Sequence, residues 1–325
     1  MSLPAVLANR LRLPLIAAPM FLVSGPALVK AACRAGVIGS FPTANCRSVE
    51  ELDAWLADIK AATDGAAPFC PNLIVHRSNP RVADDLSAVL RAKAEIVITS
   101  VGSPEPVMKP LKDAGCLVLA DVASVRHAQK AVAAGVDGLV LLTAGAGGQT
   151  GWANPFAFVR AVRQFWDGIV VMAGGMSDGR AIAAAEILGC DLAYMGTKFI
   201  ATRESLAKDD YKQMLVKGRL DDVLLTRAFT GLETNMLRPS IEAAGLDLDN
   251  LPQRGAIDIA KDINAAERDK PKAKRWKDIW SAGHSVSGVV DVPSVAELVE
   301  RTAVEYEAAR KGPGIDATAA RSSRA

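Results

Sequence analysis

Four places in the chain share one pattern, in which a helix-like segment ends at a glycine and a short apolar run follows at once. The glycines are Gly36, Gly115, Gly135 and Gly189. Glycine favours the left-handed conformation that closes many helices, and a short apolar run without alternation is typical of a strand that is buried on both faces. Each junction therefore predicts a helix followed by a strand of a parallel sheet.

Eight apolar runs of this kind are candidates for buried strands, and helix-like segments lie between them. The predicted strands are residues 15–18, 37–41, 69–75, 96–99, 116–120, 138–142, 169–173 and 192–196. Helices are predicted over residues 49–62, 81–92, 125–134, 155–165 and 179–188. Eight alternating units of strand and helix favour an α/β fold of the closed (β/α)8 type, the TIM barrel, over an open sheet.

The alternation stops after the eighth predicted strand. We predict that residues 205–293 form an inserted helical lid or cap subdomain, because a long segment without that alternation is unusual inside a barrel. An amphipathic helix with capping-box spacing is predicted at 294–311, so the barrel domain would comprise 1–204 and 294–311. Residues 312–325 are rich in small residues and turn formers, which predicts a disordered tail.

Composition and charge favour a protein that acts on small molecules. The net charge is only +2, so no strong field favours nucleic acid. No run approaches the ~18–20 apolar residues of a membrane span, and no signal-peptide pattern is present at the start. The five cysteines form no C-x-x-C pair, and no H-E-x-x-H spacing predicts a metal site. We therefore expect a cytoplasmic protein with a small-molecule substrate and no nucleic-acid, membrane or metal partner.

Two glycine-containing loops follow the seventh and eighth predicted strands. The first carries Gly174 and Gly175 within MAGGMSDGR, and the second carries Gly196 and Thr197 within YMGTKF. Barrel ligands bind at the carboxyl ends of the strands, and these two loops are the usual position of a phosphate. Backbone N–H groups can approach an anion closely there, and a helix start adds partial positive charge. Either loop alone could be only a tight turn, but the two together favour a phosphate site.

These loops belong to a wider set of motifs that resembles the nitronate monooxygenases, a family of FMN-binding TIM barrels once called 2-nitropropane dioxygenases. The motifs are LPLIAAPM at 13–20, PNL at 71–73, AGGQTG at 146–151, MAGGMSDGR at 172–180, DLAYMGTKFIATRES at 191–205 and IWSAGH at 279–284. The resemblance implies a flavin-dependent oxidoreductase with FMN as its cofactor. By the same resemblance, the ring would lie on Ala18, Pro19 and Met20 beside Asn72, Gly147 and Gly148, and the phosphate would be held by Ala173, Gly174, Gly175, Gly196 and Thr197.

Gln149 departs from the pattern of this family, which has a histidine there as the base that deprotonates a nitroalkane. An amide cannot accept a proton at working pH, so we expect neutral nitroalkanes to be poor substrates and preformed anionic nitronates to remain substrates. His284 is our first candidate for a replacement base and His76 the second, because both lie near the predicted catalytic face and imidazole titrates near neutrality. A structural hydrogen-bonding role is the alternative for each.

Asp121 is the second departure, at the end of the fifth predicted strand, where some relatives carry a lysine beside the flavin. A carboxylate charge there would disfavour the anionic reduced flavin and lower its reduction potential. The alternative is that Asp121 points away from the flavin and accepts hydrogen bonds at the start of the helix near Ser124.

Three functions stay open at this point. The first is oxidation of an alkyl nitronate by FMN and O₂ to a carbonyl compound and nitrite. The second is an FMN-dependent reductase or dehydrogenase that uses NAD(P)H and acts on an enone, a quinone or an acyl-CoA thioester. The third is a barrel that binds a phosphate-bearing ligand without turnover. Gln149 weakens the first more than the second.

Overall fold

The fold is a closed barrel of eight parallel strands, seen in a computed structural model that describes residues 4–251, 259–260 and 278–312. The strands are β1 (Leu15–Ala17), β2 (Ile38–Pro42), β3 (Phe69–Ile74), β4 (Ile96–Ser100), β5 (Leu117–Val122), β6 (Gly138–Leu142), β7 (Gly148–Gln149), β8 (Ile169–Ala173), β9 (Leu192–Met195), β10 (Val223–Thr226) and β11 (Thr234–Leu237). The barrel order is β1-β2-β3-β4-β5-β6-β8-β9, and β9 pairs with β1 to close it. The predicted TIM barrel is confirmed, with its eight strands within two residues of their predicted ends.

Helices surround the barrel and extend beyond it. They are α1 (Ala5–Ala8), α2 (Pro26–Arg34), α3 (Val49–Ala62), α4 (Val82–Ala92), α5 (Glu105–Asp113), α6 (Val125–Ala133), α7 (Pro155–Val162), α8 (Gly179–Leu188), α9 (Thr197–Ile200), α10 (Asp209–Lys217), α11 (Arg238–Ala243) and α12 (Val295–Arg310). The predicted capping box at the start of α12 is confirmed, because the Ser294 hydroxyl accepts from the Glu297 N–H and the Glu297 carboxylate accepts from the Ser294 N–H. Among the described residues, no helix combines the length and the apolar character needed to cross a membrane.

Side-chain alternation along the strands divides the core into two parts. One set of alternate residues packs outward against the helices, and the other set fills the barrel interior. In β5 the inward set is Leu117, Leu119 and Asp121. The lower interior is therefore apolar, whereas the layer nearest the carboxyl ends of the strands carries polar side chains. The polar members of that layer are Asn72, Ser100, Asp121 and Tyr194.

The described part of residues 205–293 holds strands as well as helices. It contains α10 and α11, and β10 and β11 pair antiparallel. β11 also pairs with β7, which lies in the loop after β6, so a small three-stranded sheet joins this segment to the barrel mouth. The prediction of a helical insertion missed these strands, and its boundaries stay a prediction. The tail predicted at 312–325 lies outside the described residues from 313 onward.

The start of α8 offers a test of how tightly the last helix packs. A Cβ at Gly179 would collide with backbone atoms of Thr302 and Tyr306 in α12. We expect Gly179→Ala to lower the free energy of unfolding by about 1–3 kcal/mol, because backbone cannot make room as a flexible side chain can. Thermal and denaturant unfolding would measure this loss. The matched control is Arg180→Ala at the neighbouring exposed position, and equal stability of the two variants would contradict the prediction.

Candidate active site

A cavity opens at the carboxyl ends of the barrel strands, with a volume of about 220 Å³. All the residues predicted for the site line it except two histidines. The predicted residues that the structure brings together here are Ala18, Pro19, Met20, Asn72, Asp121, Gly147, Gly148, Gln149, Ala173, Gly174, Gly175, Gly196 and Thr197. They come from six loops or strands, so closure of the barrel is what assembles them.

The buried side chain of Asn45 holds the loop after β1 in place through three hydrogen bonds. The Asn45 amide donates to the carbonyl oxygens of Met20 at 3.1 Å and Ser24 at 2.8 Å, and its side-chain oxygen accepts from the Leu22 N–H at 2.8 Å. These bonds fix Leu22 in the left-handed region, with φ of 60°. The sequence did not reveal this support, because Asn45 lies outside every motif that we singled out.

Both loops predicted to bind phosphate line the cavity, and the loop after β8 presents open backbone to it at Gly175. Gly174 and Gly175 both have positive φ, 115° and 73°, which side chains rarely adopt. A Cβ at Gly175 would meet nothing within 4 Å. Within the described part of the chain, the N–H groups of Gly175 and Met176 have no hydrogen-bond partner. Unpartnered backbone donors beside a cavity suit an anionic ligand group.

Glycines also allow three segments to meet at the cavity wall. A Cβ at Gly147 would lie 2.7 Å from the backbone nitrogen of Gly283, and a Cβ at Gly283 would lie 2.5 Å from the carbonyl oxygen of Gly145. The Gly283 N–H donates to the Thr197 hydroxyl at 2.9 Å. The loop after β6 and the segment before Val286 therefore pack backbone against backbone, and the Thr197 hydroxyl joins the start of α9 to them.

Gln149 lies on β7, and β11 fixes its position. Thr234 pairs with Gln149, and the buried Asn235 amide donates to the carbonyl oxygen of Ala146 at 2.8 Å. The Thr150 N–H donates to the Glu233 carbonyl oxygen at 3.0 Å. The segment TGLETNML thus holds the loop that carries Gln149. No pattern in that segment indicated this role, because the pairing joins residues far apart in sequence.

Neither predicted replacement base lies at the cavity. The His76 Nδ1 accepts from the Ser78 N–H at 3.2 Å and lies 2.7 Å from the Ser78 hydroxyl, so the imidazole closes a local turn. His284 is exposed, and its ring packs against Gly145. Its backbone N–H donates to the Gly145 carbonyl oxygen at 2.9 Å. The geometry therefore supports the structural alternative for both histidines. No histidine is among the described residues that line the cavity.

Asp121 faces the cavity, so the alternative that it points away from the site is wrong. The Ser124 hydroxyl, not Asp121, caps the following helix by accepting from the His127 N–H. Burial raises the pKa of Asp121 from 3.8 to about 7. Its Oδ1 atom is buried without a hydrogen-bond partner among the residues that the structure describes. The carboxyl is therefore mostly neutral below pH 7, so the expected effect of a carboxylate charge on the flavin would apply only above that pH.

Aromatic and apolar side chains form the outer wall of the cavity. Tyr211 and Trp280 stack with their ring centres 4.9 Å apart and an interplanar angle of 11°. The Tyr211 hydroxyl donates to the Ser281 carbonyl oxygen at 2.5 Å. Val101, at the end of β4, also lines the cavity and has a φ of 59°, which is strained for a β-branched residue. Trp280 belongs to the IWSAGH motif, whereas Tyr211 and Val101 lie outside every motif that we singled out.

A closed eight-stranded barrel with a cavity at the carboxyl ends of its strands, and with open backbone at Gly175 after β8, places the protein in the class of (β/α)8 enzymes, which bind their ligands at that end. The family model for nitronate monooxygenase matches residues 81–305, which is more than half of the chain. The chain therefore belongs to the nitronate monooxygenase family. It is an oxidoreductase, and its family implies a flavin cofactor.

Three known proteins illustrate the range of its relatives. A nitronate monooxygenase of Paraburkholderia phytofirmans is 29% identical over 307 residues, covering 80% of this chain and 83% of that protein. A protein of Mycobacterium tuberculosis, (3aS,4S,5R,7aS)-5-hydroxy-7a-methyl-1-oxo-octahydro-1H-indene-4-carboxyl-CoA dehydrogenase, is 28% identical over 234 residues, covering 70% of this chain and 64% of that protein. The structure of FabK from Thermotoga maritima has a TM-score of 0.79 and 25% identity, covering 94% of this chain and 96% of that one.

The raised pKa of Asp121 predicts a pH-dependent loss of stability. A free aspartate has a pKa of about 3.9, so the folded state binds this proton more tightly than the unfolded state does. Its contribution is fully present below about pH 4 and is lost as the pH rises to about 7. We expect Asp121→Asn to gain stability relative to the native protein between pH 4 and pH 8, by on the order of a few kcal/mol.

Melting temperatures of both proteins at several pH values would check this expectation. The matched control is Asp113→Asn, which changes an exposed carboxylate paired with Lys109. A stability difference between Asp121→Asn and the native protein that stays constant across this pH range would contradict the prediction.

Proposed function

We propose that this protein is an FMN-dependent oxidoreductase that oxidises preformed alkyl nitronates with O₂ to a carbonyl compound and nitrite. The observation that carries the proposal is the pairing of a backbone cradle, formed by the N–H groups of Gly175 and Met176 that have no partner among the described residues, with an amide, Gln149, where the family uses a basic imidazole. The cradle suits the phosphate of FMN, and the amide suits a substrate that arrives already deprotonated.

The cavity residues fit the cofactor. The N–H groups of Gly175 and Met176, together with Gly196 and Thr197, would hold the phosphate. Ala18, Pro19 and Met20 would lie against the ring system, with Ala173, Gly147 and Gly148 beside it. When bound, FMN supplies the electron acceptor that the side chains of the protein lack.

Asn72 and Gln149 would provide neutral polar contacts in this site. The Asn72 amide donates to the Ser100 hydroxyl at 3.1 Å, which fixes its orientation beside the ring position. Gln149 lines the cavity on a loop that β11 holds in place. An amide can donate a hydrogen bond to a nitronate oxygen, but it cannot remove the carbon-bound proton of a nitroalkane. The site would therefore orient the nitronate anion, and deprotonation of the nitroalkane would take place in solution.

The outer wall supports a substrate with an apolar part. Tyr211, Trp280 and Ile200 line the cavity and are buried. Contact with an alkyl chain there would contribute about 25 cal/mol for each Å² of apolar surface removed from water. A short-chain nitronate would thus bind more weakly than a longer one.

Anaerobic mixing of the purified protein with electron donors tests the proposal. We expect ethyl nitronate to bleach the flavin absorbance promptly and neutral nitroethane to do so at least about 100-fold more slowly at pH 7, because a general base is worth 10²–10⁴ in rate. Prompt bleaching by NADH or NADPH would instead favour a reductase or dehydrogenase, the activity class of the dehydrogenase relative. A colourless protein without bound FMN would remove the flavin assignment.

Restoring the imidazole gives a second test. We expect Gln149→His to raise the rate of flavin bleaching by nitroethane by about 10-fold or more, while the rate with ethyl nitronate changes little, because only the neutral substrate needs a base. Gln149→Asn is the matched control, since it changes side-chain length without adding a base. Equal rates with nitroethane in both variants would show that position 149 does not face the substrate.

A further inference from the structure

Two polar groups in the barrel interior have no hydrogen-bond partner. Three buried side-chain polar atoms lack a partner among the described residues: Asp121 Oδ1, Tyr194 Oη and Arg81 Nε. Arg81 lies beside α4, where its other nitrogens bond Asp85 and Cys46. Asp121 and Tyr194 both line the cavity. A buried polar atom without a partner costs on the order of 1–3 kcal/mol, so a ligand that satisfies both atoms would gain from each.

Burial keeps both Asp121 and Tyr194 protonated below pH 7. The titratable side chains that act on one another here are Cys70 in β3, Asp121 in β5 and Tyr194 in β9. Burial is the main cause that raises the pKa of each group, and the charge of Asp121 raises the pKa of Tyr194 and Cys70 further. No lysine, arginine or histidine is among the described residues of the lining. Below pH 7 both Asp121 and Tyr194 are therefore O–H donors.

The neighbouring polar side chains do not compete for these donors. Asn72 and Ser100 bond to each other, and the Asn72 amide also lies 3.4 Å from the Ile98 carbonyl oxygen. Asp121 and Tyr194 belong to the interior layer of the strands, directly above apolar residues such as Leu119. The loops that carry Met20 and Gln149 lie beyond the strand ends, so a ring resting on those loops would separate this pair from a substrate at the mouth.

We propose that Asp121 and Tyr194, two buried polar groups that line the cavity without a partner among the described residues, are a pair of neutral hydrogen-bond donors that bind an electron-rich oxygen or nitrogen of the flavin ring. Loss of the Asp121 proton would remove one donor and make the bound flavin harder to reduce. The proposal rests on the proposed function, because it takes the flavin as the ligand. A tyrosine and a protonated aspartic acid in an apolar site can together stabilise negative charge that develops on a ligand.

The proposal predicts how the reduction potential of the flavin changes with pH. Reduction by two electrons adds negative charge to the ring, which raises the pKa of a nearby carboxyl. In the range just above pH 7, Asp121 would take up one proton from solvent for every two electrons that enter the ring. One extra proton changes the equilibrium constant for reduction tenfold per pH unit, which for two electrons corresponds to about 30 mV per pH unit.

The test is the reduction potential of the flavin-bound protein, measured with dithionite and reference dyes between pH 5 and pH 9. We expect the native protein to show a slope steeper by about 30 mV per pH unit above pH 7 than Asp121→Asn shows. Tyr194→Phe should lower the potential at every pH and keep the extra slope. Tyr306→Phe is the matched control, because Tyr306 is a buried tyrosine on α12 whose hydroxyl bonds Glu186 on α8, and it should leave the potential unchanged.

The outcomes separate this proposal from the proposed function. A yellow protein whose pH profile is the same in the native form and in Asp121→Asn would overturn the donor pair and leave FMN binding intact. A colourless protein would overturn both. Loss of nitronate oxidation in Asp121→Asn with an unchanged pH profile would show that Asp121 acts on the substrate, which also contradicts the proposal.

A second measurement covers the case in which Asp121→Asn fails to fold. The infrared C=O stretch of a protonated carboxyl, recorded on the native flavin-bound protein, should disappear with a midpoint near pH 7. It should shift in frequency when the flavin is reduced, because the hydrogen bond changes. A carboxyl band that is absent at pH 5, or insensitive to reduction, would overturn the proposal without any variant.

Discussion

In a closed barrel, the side chains of each strand point alternately inward and outward, and the rest of this structure depends on that constraint. Closure of β9 on β1 forces every second residue of each strand into an interior without bulk water. In most layers those residues are apolar, but the last layer before the strand ends holds Asn72, Ser100, Asp121 and Tyr194. The same geometry that builds the core thus delivers a few polar groups to one place and removes them from water.

The cavity above that layer is shaped by backbone rather than by side chains. Glycines at 147 and 283 let two segments meet without an intervening Cβ, and Asn45 holds the loop after β1. Asn235 ties the segment after the eighth barrel strand to the loop of Gln149. Rigid support of this kind is what keeps a binding site close to its productive geometry. Close contact between these segments also explains why the motifs that line the cavity are rich in glycine.

The barrel could be predicted from the sequence because its signals are local: a glycine closes a helix and a short apolar run follows. The glycine loops at Gly174 and Gly196 could be placed at the cavity for the same reason. The roles of Asn235 and Tyr194 could not, since both depend on pairing between distant segments. The position of His284 could not be predicted from its motif, which reaches the cavity through Gly283, one residue earlier, while the partly exposed ring of His284 packs against Gly145. For Asp121 the sequence left two orientations open, and its charge depends on burial that only the assembled barrel creates.

The electrostatics of the described cavity lining depend on a single carboxyl. Gln149 is neutral at all pH values, the tyrosines stay protonated well above neutrality, and no cation lines the described part of the cavity. When Asp121 is protonated the cavity carries no net charge from these side chains, and an anionic substrate enters against no repulsion. When Asp121 ionises, the same anion meets a like charge in a region of low dielectric constant, where such repulsion is weakly screened. Binding of an anion and reduction of a flavin should therefore respond to pH in the same direction, because one proton governs both.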